Sequence, residues 1–76
     1  MKSEEIFGRV LRNLRKKQNM SQENLAFQSN LDRTYISMLE RGVHQPTLNS
    51  LLALASALNM KASDLVRLVE NEIEQD

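Results

Sequence analysis

The feature that most constrains the fold is the stretch from Ser21 to Gly42, which reads SQENLAFQSNLDRTYISMLERG. It predicts two short helices joined by a tight turn, because a Ser cap precedes one apolar-periodic run and an Asp cap precedes the next. Ala26 lies in mid-helix, where a second helix crossing at about 90–120° needs a small side chain. Asn30 lies in the turn and tolerates a positive φ. The predicted core of this unit is Leu25, Ala26, Leu31, Ile36 and Leu39.

Three further helices are predicted around this unit. The first begins near Ser3, whose hydroxyl can cap it, and carries an apolar stripe at three- and four-residue steps. The members of that stripe are Phe7, Val10, Leu11 and Leu14. Thr47 opens the fourth helix, TLNSLLALASALN, and the fifth covers ASDLVRLVENEIE. The sequence therefore predicts an all-α fold of five helices, with residues 1–76 forming a single domain.

The last two helices carry more apolar surface than one small core needs. Leucine or alanine occupies nearly every side of the fourth helix, so part of its surface should contact another partner. A chain of 76 residues is also near the size at which oligomerisation often adds stability. We therefore predict a dimerisation surface within residues 47–74, formed by Leu52, Val66, Val69 and Ile73. The alternative is an acidic tail folded on its own monomer.

Charge is distributed unevenly along the chain, although ten basic and ten acidic residues cancel overall. Residues 1–46 contain eight basic and five acidic residues, which gives a formal charge of +3. Residues 47–76 contain two basic and five acidic residues, which gives −3. Such polarity suits a protein whose basic end faces phosphates. It can also arise by chance in a short chain.

The composition argues against several classes of protein. The chain has no cysteine for a disulfide or thiolate metal site, and its single histidine, His44, cannot form a usual catalytic dyad or metal site. The sequence also contains no phosphate-cradling glycine loop, no long apolar run and no signal-peptide core. We therefore expect a cytoplasmic protein that is not an enzyme, does not contact membranes and uses no cofactor or metal.

Three motifs in order, SQENLA, RTYISMLE and RG before Pro46, resemble the Xre/Cro/CI-type helix-turn-helix DNA-binding family. The resemblance covers about residues 6–66, and the run SNLDRTYIS is most similar to the controller proteins of restriction-modification systems. It implies a lambda-repressor-like domain with the helix-turn-helix motif over residues 21–41, in helices 2 and 3. The implied function is a transcriptional regulator that binds a palindromic operator in double-stranded DNA as a homodimer. RNA polymerase is a further candidate partner.

Outward side chains of the third helix are candidates for contacts with bases. Arg33, just inside the helix N-terminus, can present two parallel donors to guanine O6 and N7. Thr34 offers a hydroxyl and a methyl group, and Ser37, one turn further on, reaches the same wall of the groove. Met38 either touches a thymine methyl or packs internally, and the sequence leaves both open.

The resemblance also implies one ion pair and several contacts with phosphates. Arg15 is expected to form a partly buried structural pair with Glu40, and it is also a candidate for a phosphate contact. The resemblance also makes Gln22, Arg41, His44 and Gln45 candidates for phosphate contacts, and Tyr35 is a further candidate because its hydroxyl can donate to a phosphate. His44 stands in a loop where relatives carry Lys or Arg, so a solvent-exposed loop histidine is the alternative. Tyr35 has a purely structural alternative, and Gln22 could be an exposed residue of a first helical turn.

Two alternatives to the controller protein remain. An antitoxin or a phage-type repressor would carry the same DNA-binding module, and only gene neighbours or a bound partner would distinguish it from a controller protein. A protein-interaction adaptor would keep the fold without binding DNA, and the outward set of Arg33, Thr34 and Ser37 argues against it.

Overall fold

A computed structural model describes residues 2–75 of the chain and contains five helices and no strand in that range. They are α1 (Ser3–Lys17), α2 (Gln22–Ser29), α3 (Arg33–Glu40), α4 (Leu48–Ala57) and α5 (Ala62–Gln75). The predicted all-α architecture and the order of its helices are confirmed. None of these helices is long and apolar enough to cross a membrane.

Short polar side chains begin three of the helices, as predicted. Ser21 and Thr47 each accept a hydrogen bond from the amide three residues further on, at 2.9 and 3.1 Å. Asp32 accepts one at 3.3 Å from the amide two residues further on. Each cap satisfies an amide that has no partner inside its own helix, so the starts of α2, α3 and α4 are fixed locally.

The start of α1 differs from the prediction by one residue. Lys2 is the cap and Ser3 is the first helical residue, so the predicted capping by the Ser3 hydroxyl is wrong. A carboxylate oxygen of Glu5 instead accepts from the Lys2 amide at 2.9 Å. The Ser3 hydroxyl accepts at 2.9 Å from the side-chain amide of Gln45, in the loop after α3.

Four helix ends are closed by a residue in the left-handed conformation. Asn19, Asn30 and Asn59 follow α1, α2 and α4 with φ of 57–58°, and Gly42 follows α3 with φ of 76°. At every one of these ends, the next amide bonds to a carbonyl five residues back, at 3.0–3.1 Å. This arrangement satisfies carbonyls that the helix leaves without partners. The predictions for Asn30 and Gly42 are confirmed.

The core lies where the five helices meet. Its fully buried side chains are Ile6, Leu11, Leu25, Ile36, Leu39, Leu54, Leu58 and Leu65. The predicted apolar positions of α1 and the helix-turn-helix lie in or against this core, although Leu14 and Leu31 are only half-buried at its edge. The buried residues that were not predicted are Ile6, Gly8, Ser29, Ser50 and Ala57. One side of α3 therefore packs against the core, and its other side is accessible to solvent.

Candidate nucleic-acid interface

One face of α3 remains open to solvent, and α2 borders it. Arg33 and Thr34 are exposed and Ser37 is half-buried, because Ile36 and Leu39 take the inward positions with no exposed surface. Together with Gln22 from the start of α2, these three side chains line a shallow notch of about 190 Å³, the α2–α3 notch. The three α3 side chains therefore lie together, as the sequence predicted. Met38 is half-buried and does not line the notch.

The α2–α3 notch is open, polar and positively charged. Arg33 is not among the described residues that form ion pairs, so its guanidinium is free to meet an acceptor from outside. The Thr34 and Ser37 hydroxyls can each donate or accept a hydrogen bond. These groups can bond to DNA in two places. Base edges at the floor of a groove offer both donors and acceptors, and phosphate oxygens along its walls offer acceptors.

A buried polar network holds the two helices of the notch together. Arg15 Nε and Nη2 donate to the two carboxylate oxygens of Glu40 at 2.7 and 2.9 Å, and Arg15 Nη1 donates to the Met20 carbonyl at 2.8 Å. Gln22 Nε2 donates to the same carboxylate at 3.1 Å. One carboxylate therefore connects α1, the start of α2 and the last residue of α3.

This network is sheltered from water. The Arg15 side chain is 10% exposed and that of Glu40 is 3% exposed. The hydrogen bonds to Glu40 raise the pKa of Arg15 above its ordinary value, against a smaller opposing effect of burial. All three guanidinium nitrogens of Arg15 already donate to acceptors within the protein. The geometry therefore favours a structural role for Arg15 over the phosphate contact predicted for it.

The backbone of α1 lies directly against the end of α3, and Gly8 makes this possible. A Cβ atom on Gly8 would meet the carbonyl oxygen of Leu39 and lie 2.7 Å from that of Glu40. Any larger residue would push α1 away from α3, because backbone atoms cannot rotate aside as a side-chain tip can. We refer to Gly8, Arg15, Leu39 and Glu40 as the α1–α3 contact. The role of Gly8 was not predicted from the sequence, because it depends on the distance between two helices.

Tyr35 lies on the side of α3 that faces α4. Its hydroxyl is 2.9 Å from the hydroxyl of Ser50, which is itself 3.0 Å from the carbonyl oxygen of Thr47. When Ser50 donates to that carbonyl, Tyr35 must donate to Ser50, and its only proton is then not available to a phosphate. This geometry favours the structural alternative for Tyr35. The buried Ser50 that receives the bond was not identified from the sequence.

The loop between α3 and α4 exposes the remaining candidates for phosphate contacts. Arg41, His44 and Gln45 are all exposed. The side-chain amide of Gln45 donates to Ser3 at 2.9 Å and to a carboxylate oxygen of Glu4 at 3.3 Å. Gln45 therefore ties the loop to the start of α1, and it would have to leave these acceptors to reach a phosphate.

Apolar side chains remain exposed on α4 and α5. Leu52 is 50% exposed, Ile73 45% and Val66 38%, whereas Val69 is half-buried. A mostly apolar groove of about 160 Å³ runs beside them and includes Phe7, Pro46, Leu51, Val66 and Val69 in its lining. Leu48, which is 70% exposed, extends the apolar surface of α4 by one turn. We refer to Leu48, Leu52, Val66 and Ile73 as the α4–α5 face.

Phe27, on α2, is the most exposed of the large apolar side chains in residues 2–75, at 85%. No role was predicted for it from the sequence. Its position follows from the helical period, because Leu25, Ala26 and Ser29 take the buried side of α2 and leave Phe27 on the opposite side. Helical spacing alone could therefore have identified it as exposed.

Comparisons with known proteins agree with this geometry. The model of the helix-turn-helix family matches residues 11–65. Control protein C.BamHI of Bacillus amyloliquefaciens is 44% identical over 62 residues, which are 80% of this chain and 76% of that protein. The crystal structure of the restriction-modification controller protein C.AhdI from Aeromonas hydrophila is 44% identical, with a TM-score of 0.79 over 82% of this chain and 94% of that one.

A third relative was solved with DNA. The restriction-modification controller protein C.Esp1396I, as a tetramer in complex with its natural 35 base-pair operator, is 33% identical to this chain. Its TM-score is 0.86, and the match covers 96% of each chain. The matches to all three proteins extend over most of their length as well as most of this chain. The chain therefore belongs to the helix-turn-helix family and, within it, to the controller proteins of restriction-modification systems.

Proposed function

We propose that this protein is a sequence-specific DNA-binding regulator that inserts α3 into the major groove of a palindromic operator. The observation that carries the proposal is the α2–α3 notch, in which three side chains able to contact bases lie open beside Gln22. The Glu40 carboxylate fixes the notch by joining α1, α2 and α3. Because these helices are held in place before binding, the notch loses little conformational freedom when it binds DNA.

Within the notch, each side chain has a distinct proposed role. Arg33 donates two parallel hydrogen bonds to guanine O6 and N7, a contact that supplies about 1–3 kcal/mol of discrimination. Thr34 and Ser37 contact neighbouring base edges or phosphates, and Met38, which is half-buried on the same helix, contacts a thymine methyl group. The loop residues Arg41 and His44 approach the phosphate backbone beside α3, because both are exposed there.

The proposed regulator acts as a homodimer in which residues 1–76 of each copy form one domain. The α4–α5 face, with the half-buried Val69 beside it, would be covered by a second copy of the chain. Two α3 helices would then enter successive major grooves, with half-sites about 34 Å apart. The operator complex of C.Esp1396I supports this arrangement, since that relative matches 96% of this chain.

Membership of the controller family extends the proposal to its cellular role. The protein would act in the cytoplasm and regulate the operon of a restriction-modification system, including its own gene. Activation at one operator site and repression at a neighbouring site would require a contact with RNA polymerase at the first. Transcription from the isolated promoter, measured with purified polymerase at increasing protein concentration, tests this part: a rise followed by a fall supports it, and a steady fall contradicts it.

The experiment that tests DNA recognition is a selection of bound sequences from a random duplex pool at near-physiological salt. The wild type should enrich an inverted repeat with half-sites about ten base pairs apart. Arg33→Ala should lose one guanine from the enriched site, whereas Arg67→Ala, which removes an exposed arginine from α5, should enrich the same site as the wild type. The absence of any enriched sequence would contradict recognition and favour an adaptor, with a partner pull-down as the next step.

A further inference from the structure

Three basic side chains on α1 form no ion pair within residues 2–75, namely Arg12, Lys16 and Lys17. Lys17 lines a groove between α1 and α5, whereas Arg12 and Lys16 do not. Arg12 and Lys16 are both exposed. Within residues 2–75, neither has a carboxylate within 4.0 Å, whereas Arg9 pairs with Glu72 and Arg15 pairs with Glu40. Their charges are therefore uncompensated at short range. We refer to Arg12 and Lys16 as the α1 strip.

The α1 strip lies between the side of α1 that contacts α3 and the side on which Arg9 pairs with Glu72 of α5. Arg12 is four residues after Gly8 and three before Arg15, and residues at these spacings are neighbours on a helix surface. Gly8 touches the carbonyls at the end of α3, and Arg15 bonds to Glu40 there. Arg12 therefore lies beside the C-terminal end of α3, and Lys16 follows one turn later towards the start of α2.

A short chain of contacts connects the strip with the notch. Arg15 lies next to the strip on α1, its partner Glu40 accepts from Gln22, and Gln22 lines the α2–α3 notch. Arg15 and Glu40 neutralise each other, so the local charge comes from Arg12 and Lys16. Two acidic side chains lie near this side of α1. Glu5, towards the opposite end of the helix from Lys16, accepts from the amide of Lys2, and Glu72 of α5 pairs with Arg9, three residues before Arg12.

We propose that the α1 strip is a second phosphate-binding element, which holds one DNA strand outside the bases that the notch reads. This inference rests on the proposed function. Arg12 and Lys16 are about 6 Å apart along the helix axis, so each can contact a different phosphate of that strand. Since Arg15 is buried and occupied, the strip supplies the backbone contact that the sequence analysis assigned to Arg15. Such contacts add affinity and fix the position of the protein but do not select bases.

The test is the salt dependence of operator affinity for the double variant Arg12→Gln/Lys16→Gln. Each lost phosphate contact makes the slope of log K against log[salt] shallower by about 0.9, so four lost contacts per dimer should remove about 3 to 4 from it. The matched control is Lys61→Gln/Arg67→Gln, which removes the same charge from the beginning and middle of the acidic α5 region. The control should keep the wild-type slope, and all variants should enrich the same sequence from a random pool.

A second arm locates the contacts on the DNA. Replacing the flanking phosphates of the operator, one at a time, with neutral methylphosphonates should weaken wild-type binding at the contacted positions. The same replacements should have no effect on the strip variant, because the charges that meet those phosphates are already absent. Thermal unfolding without DNA should give equal midpoints for all variants, since the four altered side chains are exposed.

Failure of this inference can be distinguished from failure of the proposed function. A wild type that binds its operator with a steep slope, together with an unchanged slope for the strip variant, overturns the inference and leaves the proposed function in place. If the slope of log K against log[salt] becomes shallower by the same amount in the strip variant and in its control, the inference is also overturned, because the effect would then come from net charge alone. A wild type that binds no specific site overturns both.

Discussion

The α1–α3 contact and the α4–α5 face are completed in different ways. In the first, a glycine allows two backbones to meet, and one carboxylate accepts three side-chain hydrogen bonds. In the second, the four large apolar side chains are 38–70% exposed. The α1–α3 contact, which positions α3, is therefore satisfied within a single chain. The α4–α5 face keeps apolar surface exposed, and we propose that a second copy covers it. Disrupting the first region should therefore affect folding, and disrupting the second should affect assembly.

The largest effect should come from removing the shared carboxylate. Glu40→Ala leaves the buried Arg15 guanidinium without its ionic partner, which we expect to lower the free energy of unfolding by about 3–5 kcal/mol. Urea denaturation at a fixed protein concentration measures the loss. The control is Glu72→Ala, which breaks the partly exposed pair with Arg9 at 3.7 Å and should cost no more than about 1 kcal/mol. Equal losses in the two variants would show that burial adds nothing to the pair at Glu40.

A charge placed on the α4–α5 face should act on assembly instead. We expect Ile73→Asp to raise the dissociation constant of the dimer by about 100-fold, because an unpaired carboxylate would be buried against the partner. Sedimentation over a range of concentrations measures this constant, and circular dichroism of the dilute monomer should show retained helix. Asn71→Asp adds the same charge on another side of α5 and should leave the dimer intact. An unchanged dimer in Ile73→Asp would place the interface elsewhere.

A smaller effect on stability is expected at Gly8. Alanine there favours the helix by about 1 kcal/mol, but its methyl group meets two carbonyl oxygens that cannot move independently of α3. We expect a net loss of about 1–3 kcal/mol in Gly8→Ala, in the range typical of overpacking. The control is Asn13→Ala on the exposed surface of the same helix, which should change stability by less than about 0.5 kcal/mol. A more stable Gly8→Ala protein would show that α1 and α3 are not in close contact.

The smallest effect concerns the hydroxyl of Tyr35. Removing it in Tyr35→Phe breaks the bond to Ser50 and should cost about 1 kcal/mol of folding stability. Operator affinity should stay at the wild-type value, since the structure directs this hydroxyl towards α4. A loss of affinity with no loss of stability would restore the phosphate contact predicted from the sequence. Both quantities can be measured on one preparation, by thermal unfolding and by fluorescence anisotropy.

The sequence predicted the features that depend on neighbours along the chain. The caps at Ser21, Asp32 and Thr47 and the left-handed residues Asn30 and Gly42 follow from local backbone chemistry. The outward position of Arg33, Thr34 and Ser37 follows from the helical period. Even so, the local rule failed at Ser3, because Glu5 can satisfy the amide of Lys2 and so make the preceding residue the cap.

Features that depend on distances between helices could not be predicted from the sequence. Nothing in the local pattern indicates that Gly8 faces two carbonyls or that Ser50 is buried under Tyr35. The pairing of Arg15 with Glu40 was expected from the family resemblance, because 25 residues separate the two in the chain. The resemblance did not indicate how fully this pair occupies Arg15. The structure was needed to identify Arg12 and Lys16 as the basic side chains on that part of α1 that remain free.

The left-handed residues that end α2 and α3 have a consequence for the kinetics of binding. With both ends of α3 fixed and its last residue bonded to α1, recognition needs no local folding step before the protein meets DNA. Association should then resemble the docking of a preformed body, with a rate set by diffusion and charge and therefore similar for related operators. Differences in affinity among those operators should appear as differences in how long each complex survives.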